Sequence, residues 1–161
     1  MPSLFALALS IGVLAFGATW LFLGPLAATG MQIWQCFIAW ACFFHSGGNV
    51  EAAKKTVICM TFGAVVGALS VMLAGHLGMV GSLAAPYAVG IGAAVLVLAA
   101  HIGFLATIPA SFYGFASIAG LILLKGVTPG KAILPTILSI VVGTVFGFAS
   151  AKLGAAMTKA S

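Results

Sequence analysis

The feature that most constrains this chain is a succession of long apolar runs separated only by short turns. The runs fall at residues 3–23, 31–44, 56–78, 85–106, 110–124 and 132–153. Only 4% of the 161 residues are charged, whereas a soluble globular domain has about 25%. Because one bilayer crossing takes about 20 apolar residues, we predict an all-α integral membrane protein, a compact bundle of about five or six transmembrane helices. One transmembrane domain would then occupy residues 1–161.

Two of the apolar runs are short for a full crossing. The runs at 31–44 and 110–124 fall below the length of about 17 residues that an untilted helix needs. Such segments are predicted to be half-length or to re-enter the membrane from one side. Irregular backbone at membrane depth is tolerated only where it faces protein or a water-filled cavity, so a pathway for a solute is one reason to have it.

Charged residues sit between the apolar runs and indicate topology. The net charge of +5 comes from six lysines and the single Glu51, with no arginine and no aspartate. The lysines form three pairs along the chain: Lys54 and Lys55, Lys125 and Lys131, Lys152 and Lys159. With six spans, four lysines lie on one side and two on the other, which predicts a multi-pass protein with a cytoplasmic C-terminus. Nucleic-acid binding is not expected, because the chain has no basic stripe with arginines.

Catalysis and metal binding find little support in the sequence. One carboxylate cannot form an acid and base pair, so we predict no enzyme activity and no cofactor. The spacing Cys42-x-x-His45 offers soft ligands for copper or zinc, but two residues are weak evidence and we predict no metal site. Cys36, Cys42 and Cys59 also lack the loop context of a disulfide framework.

A cluster of hydroxyl and aromatic side chains surrounds a proline in the fifth run. Proline removes a backbone donor there, and the neighbouring hydroxyls are neutral hydrogen-bonding groups. An ion pathway would place ionisable residues in the membrane, and this chain has almost none to place there. We therefore interpret the cluster as the lining for a small neutral polar solute. The candidate residues are Thr107, Pro109, Ser111, Phe112, Tyr113 and Ser117.

Further pathway candidates lie in the second run and at two histidines. Phe37, Trp40 and Phe44 belong to an aromatic group in the short second run, although such a stripe more often means core packing or an interfacial belt. His76 and His101 occur in similar runs 25 residues apart. They are predicted near opposite membrane faces, where they could guard two mouths or simply bond helix-end carbonyls.

The aromatic and glycine pattern also resembles that of a known family. The pattern Trp34-x-x-Phe37-x-x-Trp40-Ala41-x-Phe43-Phe44-x-x-Gly47-Gly48, followed by Pro109-x-x-Phe112-x-Gly114, resembles the YcdZ-like family of small bacterial inner-membrane proteins. The similarity covers most of the chain and implies a bacterial inner membrane. The segment 111–117 is similar, more faintly, to the pore half-helix of urea transporters, although their proline-rich threonine signature is missing here.

Two functions remain open at this stage. The first is a passive channel or facilitator for a small neutral polar solute of the urea, short amide or ammonia class. The second is a non-transporting component that packs against a partner protein or lipid through small residues, as in Gly63-x-x-x-Gly67 and Gly143-x-x-x-Gly147. In both cases the lipid bilayer is the surrounding partner, and a homo-oligomer is expected.

Overall fold

The computed structural model, which describes residues 3–159, contains six α-helices. They are α1 (Ser3–Leu23), α2 (Ile33–His45), α3 (Val50–His76), α4 (Ala84–Leu98), α5 (Ile108–Lys125) and α6 (Pro129–Lys159). Short 3₁₀ turns occupy Ala27–Thr29, Gly78–Leu83, Ala99–His101 and Gly103–Leu105. No strand occurs in this part of the chain. The predicted all-α bundle of a multi-pass membrane protein is confirmed. Of the six lysines used to predict topology, Lys159 has a side chain outside the described part of the structure.

Segment length separates α2 from the rest of the bundle, because the 15-residue helix α4 belongs, with its flanking 3₁₀ turns, to the longer apolar segment Gly78–His101. Five segments are long and apolar enough to cross a membrane, but α2 has only 13 residues. At about 1.5 Å per residue, α2 is about 20 Å long against a hydrocarbon core of about 30 Å. The prediction of a short second helix is confirmed. The fifth run is longer than predicted, because α5 already begins at Ile108 and has 18 residues.

Local chemistry moves two helix ends away from the limits of the apolar runs. Helix α3 begins at Val50 because the Asn49 side chain caps it, accepting a hydrogen bond of 2.9 Å from the Ala52 amide. Glu51 in the first turn suits the positive end of the helix dipole. Helix α4 ends at Leu98, earlier than the predicted limit of 106, and the backbone is extended at Ile102.

The chain direction defines two ends of the bundle. The turns at 46–49 and 99–107 lie at the end that also carries Lys54, Lys55 and Lys152, which we call the lysine-rich end. The turns at 24–32, 77–83 and 126–128 lie at the opposite end, with Lys125 and Lys131. All five of these lysines are exposed, as is Glu51. Charge is therefore confined to the ends among the residues described.

The packing of the helices repeats itself across the two halves of the chain. The first half is α1–α3 and the second half is α4–α6. Helix α3 packs against α5, and its counterpart α6 packs against α2. Likewise α1 packs against α6, and α4 packs against α3. Because each half contains three helices, the second half runs through the bundle in the reverse direction, which makes the fold an inverted repeat.

Residues at matching positions carry the same contacts in the two halves. Between 56–70 of α3 and 136–150 of α6, five of 15 positions are identical: Thr56/Thr136, Gly63/Gly143, Val65/Val145, Gly67/Gly147 and Ser70/Ser150. Helices α2 and α5 match at an offset of 75 residues, so that Phe37 is equivalent to Phe112 and Ala41 is equivalent to Ala116. A Cβ on Gly63 would overlap the Ser111 backbone, and one on Gly143 would overlap that of Cys36, the residue equivalent to Ser111.

Candidate functional site

Glycines hold the middle of the bundle closed. A Cβ on Gly63 would lie 2.9 Å from the Ser111 Cα, and one on Gly114 would lie 2.7 Å from the Met60 Cα. Gly143 makes the equivalent approach to the Cys36 backbone, at 2.9 Å from its Cα. Gly63 lies eight residues beyond Lys55, or about 12 Å along the helix, which places these contacts near the middle of a bilayer of about 30 Å. We call these three contacts the glycine layer.

A cluster of buried neutral polar groups lies between the glycine layer and the opposite end. Gln35 of α2 is fully buried, and its Nε2 atom donates to the Ser117 carbonyl of α5 and to the Thr136 hydroxyl of α6, both at 3.0 Å. Ser117 and Thr136 are also fully buried. We call these three residues the Gln35 cluster. It ties one helix of the first half to two helices of the second.

The Gln35 cluster retains unused hydrogen-bonding capacity. The amide orientation is set by Ser117, because a carbonyl oxygen can only accept and must face the Nε2 atom. The Oε1 atom of Gln35 therefore points elsewhere, and within residues 3–159 neither it nor the Ser117 hydroxyl has a hydrogen-bond partner. The Ser111 and Thr61 hydroxyls are unpartnered in the same sense. Buried polar groups are normally satisfied, so these atoms mark a candidate binding site.

The equivalent position in the other half of the bundle has a simpler composition. Cys42 matches Ser117, and Thr56 matches Thr136, and the Thr56 hydroxyl donates to the Cys42 sulfur at 3.6 Å. Gln35 itself matches Ala110, so no amide bridges this side. The Cys42–Thr56 pair lies next to Lys55, near the lysine-rich end. The bundle thus has two polar groups of unequal strength, one on each side of the glycine layer.

Two of the sequence-predicted pathway residues face this interior and a third lies at its edge. Ser111 and Ser117 are both fully buried. Tyr113 is half-buried, and its hydroxyl shares a 2.9 Å hydrogen bond with Nδ1 of His45, which ties α5 to α2 at the lysine-rich end. The Tyr113–His45 pair had no clear signal in the sequence, because 68 positions separate the two residues.

The predicted aromatic residues divide between the surface and the core. Phe37 and Phe112 occupy matching positions and are each 39% exposed on the outside of the bundle. Trp40 is buried, stacks on Phe146 at 5.7 Å between ring centroids, and donates from Nε1 to the Ser150 hydroxyl at 3.0 Å. Phe44 is half-buried and meets the Phe43 ring edge-on. This group therefore mainly packs helices together or faces the surroundings.

The remaining candidates lie at helix ends. Thr107 precedes α5, and its carbonyl accepts from the Ala110 and Ser111 amides, while Pro109 lies in the first turn of that helix. His76 donates from Nδ1 to the Met72 carbonyl at 2.8 Å, as expected for a residue that satisfies helix-end carbonyls. His101 is exposed at the other end of the bundle, so the two histidines do lie at opposite ends.

Metal coordination has no geometric basis in the described residues. No three side chains of His, Cys, Asp or Glu come together there. Cys36, Cys42 and Cys59 are buried free thiols, and Cys42 contacts the Ser46 and Thr56 hydroxyls. His45 is bonded to Tyr113 instead of sharing a ligand with Cys42. These cysteines belong to the helix contacts around the glycine layer.

Comparison with known families gives one match, and it covers almost the whole bundle. The family model described as "Protein of unknown function (DUF1097)" matches residues 8–155. The chain belongs to the DUF1097 family. Helices α2 to α5 of this DUF1097 protein, most of α1 and α6, the glycine layer and the Gln35 cluster lie within the matched region. No curated protein and no solved structure matches the chain. The resemblances to YcdZ-like proteins and to urea transporters stay predictions.

The central residue of the site, Gln35, was missed in the sequence. The aromatic rings and hydroxyls predicted other residues, whereas the usable signal was an amide inside an apolar run. Glutamine occurs only at positions 32 and 35 of this DUF1097 chain. A polar side chain inside a membrane segment is costly and is therefore a candidate functional residue. Its residue type and its place in an apolar run were enough to make Gln35 such a candidate.

Proposed function

We propose that this protein is a passive facilitator for a small neutral polar solute of the urea, short amide or ammonia class. The observation that carries the proposal is the Gln35 amide, fully buried in a membrane bundle with its Oε1 atom unpartnered. A buried carbonyl oxygen without a hydrogen-bond partner costs free energy unless another molecule donates a hydrogen bond to it. A solute with hydrogen-bonding groups is the binding partner we propose.

The chemistry of the interior supports a neutral solute. The polar side chains buried between the halves are amides, hydroxyls and thiols. The six charged residues whose side chains are described are all exposed. A conducted ion would need charged or carbonyl-lined coordination along its path. Neutral donors and acceptors instead suit a molecule that already carries no charge.

The inverted repeat supports a route between the two halves. Transporters with such repeats bind their solutes near the membrane midplane, where the halves meet. In the present structure the glycine layer closes that route between the Gln35 cluster and the Cys42–Thr56 pair. We propose that the route opens when the halves shift across this layer, where backbone meets backbone with few interlocking side chains.

The proposed pathway residues are fewer than the sequence indicated. Ser111, Ser117 and Tyr113 remain, and Gln35 and Thr136 join them. Phe37 and Phe112 belong to the outer surface in this proposal. We further propose a bacterial inner membrane, with the lysine-rich end and both chain termini in the cytoplasm, because that end carries more lysines. The expected homo-oligomer stays a prediction.

Flux measurements test the facilitator. Purified protein in liposomes is mixed with urea, acetamide, glycerol or a non-permeant sugar, and vesicle volume is followed by stopped-flow light scattering. We expect rapid volume recovery with urea or acetamide and none with the sugar. If volume recovery is no faster than in empty vesicles for every solute, the protein is not a facilitator for these solutes and the proposal is wrong.

The close packing of the glycine layer favours one other candidate, a component that packs against a partner without transport. Labelling of the native cysteines distinguishes the facilitator from the scaffold. Cys36 lies in the glycine layer, whereas Cys42 lies nearer the lysine-rich end. A variant with Cys36 as the sole cysteine is treated with a small membrane-impermeant thiol reagent. A facilitator predicts slow labelling that urea reduces, whereas a dry scaffold predicts no labelling until the protein unfolds.

A further inference from the structure

The two halves differ most sharply at one pair of equivalent positions. Gln35 of α2 corresponds to Ala110 of α5, and both are fully buried. The threonine that accepts from the Gln35 amide, Thr136, also has an equivalent in the other half, Thr56, and both threonines are fully buried. A single side chain therefore makes two nearly equivalent polar sites chemically different.

The free atom of that side chain has a defined requirement. The Nε2 atom is held by the Ser117 carbonyl and the Thr136 hydroxyl, so the amide cannot turn over without losing the Ser117 bond. What remains is a carbonyl oxygen, which only accepts hydrogen bonds, and in the same cluster the unpartnered Ser117 hydroxyl, which both donates and accepts. A matching molecule needs at least one N–H or O–H donor, and it gains from an acceptor of its own.

We infer that Gln35 is the specificity-determining residue of this pathway and that it selects small neutral solutes that donate a hydrogen bond, such as urea and primary amides, over solutes that have no donor. This inference rests on the proposed facilitator and names its solute class. A solute without a donor would leave the Gln35 oxygen buried and unpaired, which disfavours it by roughly tenfold or more. Ala110 offers no such group, so selection occurs on one side of the glycine layer only.

The first test replaces the amide and then moves it. Gln35→Met keeps the side-chain length and removes both hydrogen-bonding atoms. We expect urea flux in liposomes to fall about tenfold or more, and acetamide to stop competing with urea. In wild-type protein acetamide should compete and N,N-dimethylacetamide, which has no N–H, should not. The double variant Gln35→Met with Ala110→Gln should recover part of the urea flux, because position 110 is equivalent to position 35 and Thr56 is equivalent to Thr136.

A second test keeps Gln35 and so does not depend on how Gln35→Met folds. Thr136→Val removes one of the two acceptors that hold the amide nitrogen, whereas Thr56→Val makes the same change in the half without the amide. We expect the ratio of urea to N,N-dimethylacetamide flux to fall several-fold in Thr136→Val alone. Equal ratios in the two variants, or urea flux in Gln35→Met within twofold of wild type, would overturn the inference. An absence of urea flux in the wild-type protein would instead contradict the proposed function, and this inference would fail with it.

Discussion

At the scale of single residues, glycine decides whether the bundle closes. A Cβ on Gly63 or on Gly143 would overlap a backbone carbonyl of the facing helix, and backbone cannot move aside as a flexible side chain can. We expect Gly63→Ala and Gly143→Ala each to lower the free energy of unfolding by about 1–3 kcal/mol. Thermal denaturation of detergent-purified protein measures the loss.

The matched control for the glycine substitutions is Gly90→Ala in α4. A Cβ at Gly90 meets nothing within 4 Å, and alanine favours a helix over glycine by roughly 0.5–1 kcal/mol. That variant should melt at or above the wild-type temperature. Equal losses in all three variants would mean that the glycine layer does not set the packing.

Two phenylalanines at equivalent surface positions give a second residue-scale prediction. Phe37 and Phe112 are each 39% exposed on the outside of the bundle. We expect Phe37→Ala and Phe112→Ala to leave urea flux and the yield of folded protein within about twofold of wild type, since surface changes usually shift stability by no more than about 0.5 kcal/mol. A selective loss of flux in Phe112→Ala would place the pathway along the outer face of α5.

At the scale of elements, the start of α2 depends on a hydroxyl from another helix. The Ser139 Oγ atom of α6 accepts from the Gln32 amide at 3.0 Å and donates to the Pro135 carbonyl at 2.8 Å. Ser139→Ala leaves the Gln32 donor unpaired at the helix start, which costs about 1–3 kcal/mol. Thr144→Ala is the control, because the Thr144 hydroxyl bonds only the Ile140 carbonyl of its own helix. Denaturation curves should show the larger loss for Ser139→Ala.

The positions of the six helices were predictable from hydropathy, because each apolar run has to bury itself in lipid or protein. The ends were less predictable, since Asn49 extends α3 into a charged stretch and an extended Ile102 ends the regular α4 segment early. The repeat was hard to predict because α2 matches α5 at an offset of 75 residues, whereas α3 matches α6 at an offset of 80. The role of Gln35 was hard to predict because its partners are 82 and 101 positions away.

At the scale of the whole molecule, the core forms between the halves and not within them. Helix α3 packs on α4 and α5, while α6 packs on α1 and α2. A chain divided in the exposed turn at Gly81 should therefore reassemble when both pieces are expressed together, whereas either piece alone should be degraded. Co-purification through a tag on one piece measures the assembly. The same pair with Gly143→Leu in the second piece should fail to co-purify.

The inverted arrangement also has a consequence for the ancestry of the chain. A duplicated unit with an odd number of crossings faces the other way in its second copy. Fusion of two copies of one three-helix protein, inserted in opposite orientations, would produce this arrangement. The modest excess of lysines at one end suits such a protein, since a strong bias would impose one orientation on every copy. Two joined copies can change independently, as the amide at position 35 and the alanine at the equivalent position 110 illustrate.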